Sequence, residues 1–185
     1  MTGIGGQGIQ LAAQVLARAA LAEGRQVQLF GSYGGMMRGG NTEATIVLAD
    51  GPIEAPPTVG HTWSAILMHH DYVEPTLRRL RPDSLVLVNE TVFSAPLARD
   101  RYRTIDIAAS DMAVDLGGVM AASMVMLGAY AAVTHIVPLD ALVGAVASSL
   151  PPYRTQHIAL NGAALRAGYE AAPKGSAPAW EPVPA

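Results

Sequence analysis

The opening stretch MTGIGGQGIQ places Gly3, Gly5 and Gly8 at G-x-G-x-x-G spacing, with Gly6 as a further glycine. That spacing turns a strand into a helix, so that backbone amides and the helix N-terminus face a phosphate. Its chemistry is anion binding. A second glycine-rich run, GSYGGMMRGGN (Gly31–Asn41), has five glycines among residues 31–40 and one charge, Arg38. Glycines this dense let the backbone approach a ligand or a partner closely. Two glycine loops at one sheet edge, one of them carrying a guanidinium, suit the phosphates of a nucleotide moiety. A flexible hairpin loop with a solvated arginine accounts for the second run equally well.

A nicotinamide dinucleotide makes one further demand, an Asp or Glu at the end of the second strand to hold the ribose hydroxyls. That strand reads as Val27–Phe30, and Gly31-Ser32-Tyr33 follows it with no acid. An uncharged Ser32 and the nearby Arg38 fit a ligand with more phosphate charge. A stand-alone dehydrogenase would also need a substrate domain, for which 185 residues leave no room.

No other constellation makes or breaks bonds. His69-His70-Asp71 has metal-ligand residue types, but neighbours on a strand point to opposite faces, so no shared ion is expected. Ser32, Ser64 and Ser110 have no general base that the sequence identifies. Met120, Met124 and Met126 read as packing. With no cysteine, the chain supplies neither a disulfide nor thiolates for a metal or an iron–sulfur cluster.

The glycine loops need strands and helices to hold them. Gln7–Glu23 has helical periodicity, with a narrow polar stripe of Gln7, Gln10, Gln14 and Arg18, and Gly24 is placed to end it. Only Met1 and Thr2 precede the first glycine, too few for the strand that the motif follows. Val27–Phe30 reads as a buried strand, Thr42–Leu48 as an alternating one, and Ser64–His69 and Ser84–Asn89 as buried strands. A short helix over Tyr72–Leu80 stops before Pro82. "YRTIDI" is a further strand, and Ser110 is the expected N-cap of a helical turn. Val119–Val133 is almost wholly apolar but short of the ~20 residues of a membrane span. Helices over Pro138–Ser149 and Gln156–Glu170 follow. This alternation predicts an α/β fold: a single Rossmann-like domain over 1–170, three-layer α/β/α, with a mostly parallel mixed sheet. A Pro/Ala-rich tail, 171–185, is expected to dock on a partner subunit through Trp180.

The bulk numbers agree with a subunit of something larger. Charged residues are 15%, against about a quarter in ordinary domains, and mean hydropathy is +0.26. A net charge of −3 gives no basic footprint for nucleic acid. With no leader pattern, the cytoplasm is the expected compartment.

The runs GIGGQGIQLAAQVLARAA, GSYGGMMRGGNTEATIVLADGPI, GGVMAASMVMLGA and LNGAALRAGYE, in that order and spacing, resemble the gamma subunit or domain of the thiamine-dependent 2-oxoacid:ferredoxin oxidoreductases, which act on pyruvate, 2-ketoisovalerate, 2-oxoglutarate, indolepyruvate or phenylglyoxylate. The resemblance covers about Gly3 to Gly168. It implies a complex that oxidatively decarboxylates a 2-oxoacid and passes the acyl group to coenzyme A. Thiamine diphosphate with magnesium then lies on the alpha and beta subunits, and the iron–sulfur clusters on a ferredoxin-like subunit. The gamma part is associated with coenzyme A and assembly and carries no catalytic residue. Gly5, Gly6, Gln7 and Gly8 match the first loop, and Arg38, Gly39 and Gly40 the R-G-G. With Ser32 and Asn41 they are the expected ligand-contacting set. Gly35, Met36 and Met37 stand where relatives often have Pro and a polar residue, and Ser123 where they usually have Asn. A purely structural clamp, without ligand contacts, is the alternative.

Overall fold

A computed structural model describes residues 1–34, 39–54, 56 and 58–180. One six-stranded sheet organises them, in the order β2-β3-β1-β4-β5-β6. β1 (Thr2–Ile4), β4 (Thr62–Leu67), β5 (Leu80–Asn89) and β6 (Arg103–Ile107) run parallel. β3 (Asn41–Ala49) runs antiparallel to both β1 and β2 (Gln26–Tyr33), which makes the sheet mixed, as expected from the glycine-flanked Thr42–Leu48. Contrary to the expectation that Met1 and Thr2 leave too few residues for it, a first strand does exist. It uses Gly3 of the glycine motif itself and is only three residues long.

Alternation along the parallel strands divides the core. Ile66, Leu85 and Leu87 face a large helical layer, while Ala65, Leu67, Val86 and Val88 face a smaller cluster with Val73, Leu80 and Tyr102. The large layer holds α1 (Ile9–Ala22), α3 (Ala109–Asp115), α4 (Ala122–Thr134), α5 (Leu139–Ser149) and α6 (Ile158–Ala171). Among the described residues, the opposite face has only the short α2 (Glu74–Arg79) and the segment leading to β6.

Three sequence expectations are corrected. Val27–Phe30 is not buried: β2 is the sheet edge, with one neighbour, and Phe30 is 45% exposed. Pro82 does not precede its strand but lies inside β5, which begins at Leu80 next to a register shift opposite Thr62 and Ser64. Ser110 is not an N-cap. Ala108 holds that position, and the Asn89 side chain reaches from β5 to do the capping, its Oδ1 accepting from the Ser110 amide at 3.2 Å and its Nδ2 donating to Ser110 Oγ at 2.9 Å.

The apolar run from Val119 becomes a 3₁₀ turn, Val119–Ala121, leading into α4, all of whose 13 residues are buried. Among the described residues no helix is long and apolar enough to cross a membrane. α4 packs so closely on α6 that a Cβ on Gly128 would overlap the Leu165 carbonyl, and one on Gly168 the Val125 carbonyl. Beyond α6, residues 172–180 stay on the chain's own body. Gly175, Ala177 and Ala179 amides donate to the Ala132, Val133 and Thr134 carbonyls at 2.7, 3.0 and 2.7 Å. Half-buried Trp180 donates to the Ile136 carbonyl at 2.9 Å, under the Arg25 guanidinium.

The α4–α6 contact yields a contrast between glycines. Gly168→Ala should lower unfolding free energy in urea by about 3 kcal/mol, because backbone must move to admit the methyl. Gly144→Ala, in α5 with open space around it, should raise it by roughly 0.5–1 kcal/mol.

Candidate functional site

The two glycine loops meet. Gly5 donates its amide to the Gly40 carbonyl at 2.8 Å, and a Cβ on Gly5 would lie 3.5 Å from the Gly39 amide nitrogen. The contact sits beyond the C-terminal end of β1. There the chain leaves towards β2 on one side of β1, whereas β4 enters on the other. Such a reversal of strand order opens a crevice, the usual ligand position in α/β sheets.

Gly6 and Gly8 have φ of 103° and 77°, the left-handed region that favours glycine. Gly8 is the N-cap of α1 and offers no side chain, so the first amides of the helix have no side-chain cap. Gln7 is bound up in the architecture. Its Oε1 accepts from the Ile4 amide at 2.9 Å and its Nε2 donates to the Met68 carbonyl at 3.1 Å, which ties the loop to the end of β4. Gln10 joins the second loop in the same way, with Nε2 donating to the Glu43 carbonyl at 2.8 Å.

Asn41 opens β3 beside Gly40, and its side-chain Oδ1 is buried without a hydrogen-bond partner. Ser32 lies exposed on β2, opposite Glu43. Thus Gly5, Gly6, Gln7, Gly8, Gly39, Gly40 and Asn41 form one cluster, with Ser32 at its rim. Arg38 lies outside the described residues, together with Gly35, Met36 and Met37.

Ser123 belongs to the same place. Its Oγ is buried and unpartnered at the start of α4, and a Cβ on Gly8 would come within 2.6 Å of it. The Ser123 side chain therefore faces the first loop. Only the tertiary packing of α4 against α1 brings the two together.

The histidine pair differs from its expected geometry. β4 ends at Leu67, so His69 and His70 are no longer on a strand and do not point to opposite faces. Their rings stack at 4.2 Å, and His69, His70 and Asp71 present ligand-type atoms within 4.8 Å of one another. The Nδ1 atoms are already engaged: that of His69 accepts from the Asp71 amide at 3.1 Å, and that of His70 is 3.0 Å from the Val92 carbonyl. Burial, and then the charge of His70, lowers the pKa of His69 from 6.5, and Asp71 opposes this.

The arrangement can hold an anion against oriented amides. Among the described residues it contains no nucleophile paired with a base.

The chain resembles known proteins over most of its length. Residues 1–171 match the family model described as pyruvate ferredoxin/flavodoxin oxidoreductase. Pyruvate synthase subunit PorC of Methanothermobacter marburgensis is 31% identical over 151 residues, covering 80% of this chain and 84% of the relative. 2-Oxoglutarate synthase subunit KorC of Methanocaldococcus jannaschii is 28% identical over 93% of this chain and 91% of its own. The solved gamma subunit of a keto/oxoacid ferredoxin oxidoreductase from Geobacter sulfurreducens superposes with a TM-score of 0.74 at 28% identity, covering 91% of this chain and 94% of that one. A 2-oxoglutarate:ferredoxin oxidoreductase from Magnetococcus marinus, solved with 2-oxoglutarate, coenzyme A and succinyl-CoA bound, shares the fold at TM-score 0.79 and 18% identity, with 94% of this chain matching 31% of that one.

Gln7→Ala strips partners from the Ile4 amide and the Met68 carbonyl, and should cost about 2 kcal/mol of stability in chemical denaturation. Ser123→Ala removes an unpaired buried hydroxyl and should cost nothing. The lowered pKa of His69 means that the unfolded chain takes up its proton more readily. Stability should therefore be fully present above pH 6.5 and decline as pH falls through it. His69→Gln should flatten that decline in a series of melts.

The loop sequence, the sheet order and the family match converge on one assignment: this chain belongs to the pyruvate ferredoxin/flavodoxin oxidoreductase family, as a gamma-type subunit.

Proposed function

We propose that the chain is the gamma subunit of a coenzyme A-dependent 2-oxoacid:acceptor oxidoreductase, and that its two joined glycine loops hold phosphate of coenzyme A while the subunit braces the complex. The observation that carries this reading is the Gly5–Gly40 hydrogen bond, which brings both loops to the mouth of the α1 N-terminus. Uncapped amides there present fixed partial positive charge to an anion. The unpartnered polar atoms of Ser123 and Asn41 support it further, because buried polar groups normally have partners. Arg38, directly before Gly39 in the sequence, is assigned the supply of charge.

Decarboxylation and electron transfer then belong to partner subunits. Thiamine diphosphate with magnesium is assigned to the alpha and beta subunits, and the clusters to an iron–sulfur subunit. The chain itself has no cysteine to ligate one. Its own contribution is to position the thiol acceptor. The tail from 171 onward, with the uncovered part of Trp180, is assigned to a partner contact, and the compartment to the cytoplasm.

A clamp role without ligand contact has its own support. Val114, Leu116, Val119 and Met120 are exposed at 58, 38, 53 and 63%, around the turn that leads to Ser123. Exposed apolar groups clustered in this way mark interaction surfaces.

In the assembled complex, Arg38→Ala should raise the KM for coenzyme A roughly tenfold or more, one charged phosphate contact being worth about 1.5–3 kcal/mol. Gly6→Ala, at positive φ with open space before it, should do the same. The KM for the 2-oxoacid should hold in both. An unchanged KM for coenzyme A with intact assembly would leave only the clamp. Met120→Glu should weaken copurification with the catalytic subunits under either reading.

A further inference from the structure

The turn after β4 gathers three side chains that can ligate a cation. β4 ends at Leu67, and Tyr72, with a φ of 60°, turns the chain sharply soon afterwards. A bulky residue in the left-handed region is uncommon, and such strain gathers at functional sites. Between these points His69, His70 and Asp71 follow one another, yet they present ligand-type atoms within 4.8 Å of one another. The two imidazoles are half-buried and the carboxylate opens to solvent.

The hydrogen bonds around the rings assign the lone pair of each. His70 Nδ1 lies 3.0 Å from the Val92 carbonyl, an acceptor, so Nδ1 holds the proton and Nε2 the lone pair. His69 Nδ1 accepts from the Asp71 amide at 3.1 Å, so here Nδ1 holds the lone pair. Both of these nitrogens face the carboxylate. His69 Nδ1 is 3.5 Å from Asp71 Oδ2, and His70 Nε2 is 3.7 Å from Oδ1. Two lone pairs and a negative charge thus converge, at separations too long for hydrogen bonds. In a tetrahedral zinc site, with bonds of about 2.0–2.1 Å, neighbouring ligand atoms stand roughly 3.3–3.5 Å apart. The two nitrogen–oxygen separations are close to that spacing already.

His70 also has the outer support typical of a metal-bound imidazole. Donation from its Nδ1 to a backbone carbonyl fixes the tautomer and raises the basicity of Nε2. Val92 in turn donates its amide to the Asn89 carbonyl at 3.3 Å, at the end of β5. The ring therefore ties the ligand turn to the loop after β5.

We propose that His69 Nδ1, His70 Nε2 and the Asp71 carboxylate bind one divalent d-block cation of the zinc type, with the fourth position left to water. Two imidazoles and a carboxylate suit such an ion, whereas magnesium and calcium take oxygen ligands. On binding, the ion takes the place of the Asp71 amide at His69 Nδ1, and that exposed amide turns to water. The carboxylate offsets one of the two charges of the ion. Next to His69, the Met68 carbonyl accepts from Gln7 Nε2 at 3.1 Å and from Asn89 Nδ2 at 3.4 Å. The ion therefore braces the base of the first glycine loop from the rim of the sheet. The inference rests on these three side chains and stands apart from the coenzyme A reading.

Calorimetric titration of the untagged full chain with Zn²⁺ tests the site. One ion per chain is expected, with a Kd of about 1 μM or tighter. At ~100 times that Kd the ion should raise Tm by about 5 °C or more. Co²⁺ in its place should give the intense visible absorption of a tetrahedral ion. In proton spectra of the unaltered chain, Zn²⁺ should shift the ring resonances of His69 and His70 and not those of the other three histidines. Asp71→Asn, which is nearly isosteric, and His70→Ala should each weaken binding about a hundredfold. His61→Ala and His157→Ala, on exposed residues elsewhere, should leave it unchanged. Lack of saturable Zn²⁺ binding would overturn the proposal, as would ring shifts confined to the other histidines. So would equal affinity in the Asp71→Asn and His70→Ala variants, or displacement of zinc by excess Mg²⁺.

Discussion

β1 is bonded on both sides over three residues, antiparallel to Thr42 and its neighbours and parallel to Leu67. The placement of both glycine loops follows from that pairing. With Ile4 opposite Asn41, Gly5 comes beside Gly40 one step later, and the loop closes through one amide–carbonyl bond. Gln7 braces the turn against Met68, and Gln10 braces the start of the helix against β3. A shift of one residue in the β1–β3 register would turn every side chain of β1 to the other face and separate the loops.

Helix packing completes the same site from behind. α4 is apolar all round because it lies between the sheet, α6 and the docked segment 172–180, with no face left to water. Gly128 and Gly168 allow its axis to come within backbone contact of α6. The position of α4 sets that of Ser123 at its first turn, against Gly8. Two glycines far along the helix bundle therefore help to fix a hydroxyl at the N-terminal end of α1.

Much of this was legible in the residues themselves. The periodicity of Ile9–Ala22 is strong, the glycine spacing names its own turn, and the antiparallel β3 followed from its glycine-flanked alternation. What stayed hidden depends on neighbours distant in sequence. Val27–Phe30 is apolar enough for a core strand, and nothing local to it reports that the sheet ends there. The capping of α3 by Asn89 joins residues 21 apart. The stacking of His69 on His70 depends on where β4 stops, and strand alternation is no guide beyond that point. Pro82 within β5 is tolerated where the register shifts against Thr62 and Ser64, so the ladder is already irregular where the proline lacks its donor.

The low charge content has two separate origins. One is internal: a wholly buried α4 and a second core on the far side of the sheet consume apolar residues without exposing them. The other is external. Val114, Leu116, Val119 and Met120 stay in water in the isolated subunit, around the 3₁₀ turn that delivers Ser123 to the glycine loops. A partner covering that turn would desolvate the loop mouth at the same time. Electrostatic interactions strengthen as water leaves, so the amides of α1 would hold an anion more firmly in the assembled state than in the free subunit. Brace and binding site are then one surface. On the coenzyme A reading, any ligand contribution of Gly5–Gly8 and Arg38 would then be measured in the whole complex, where a partner would close that surface.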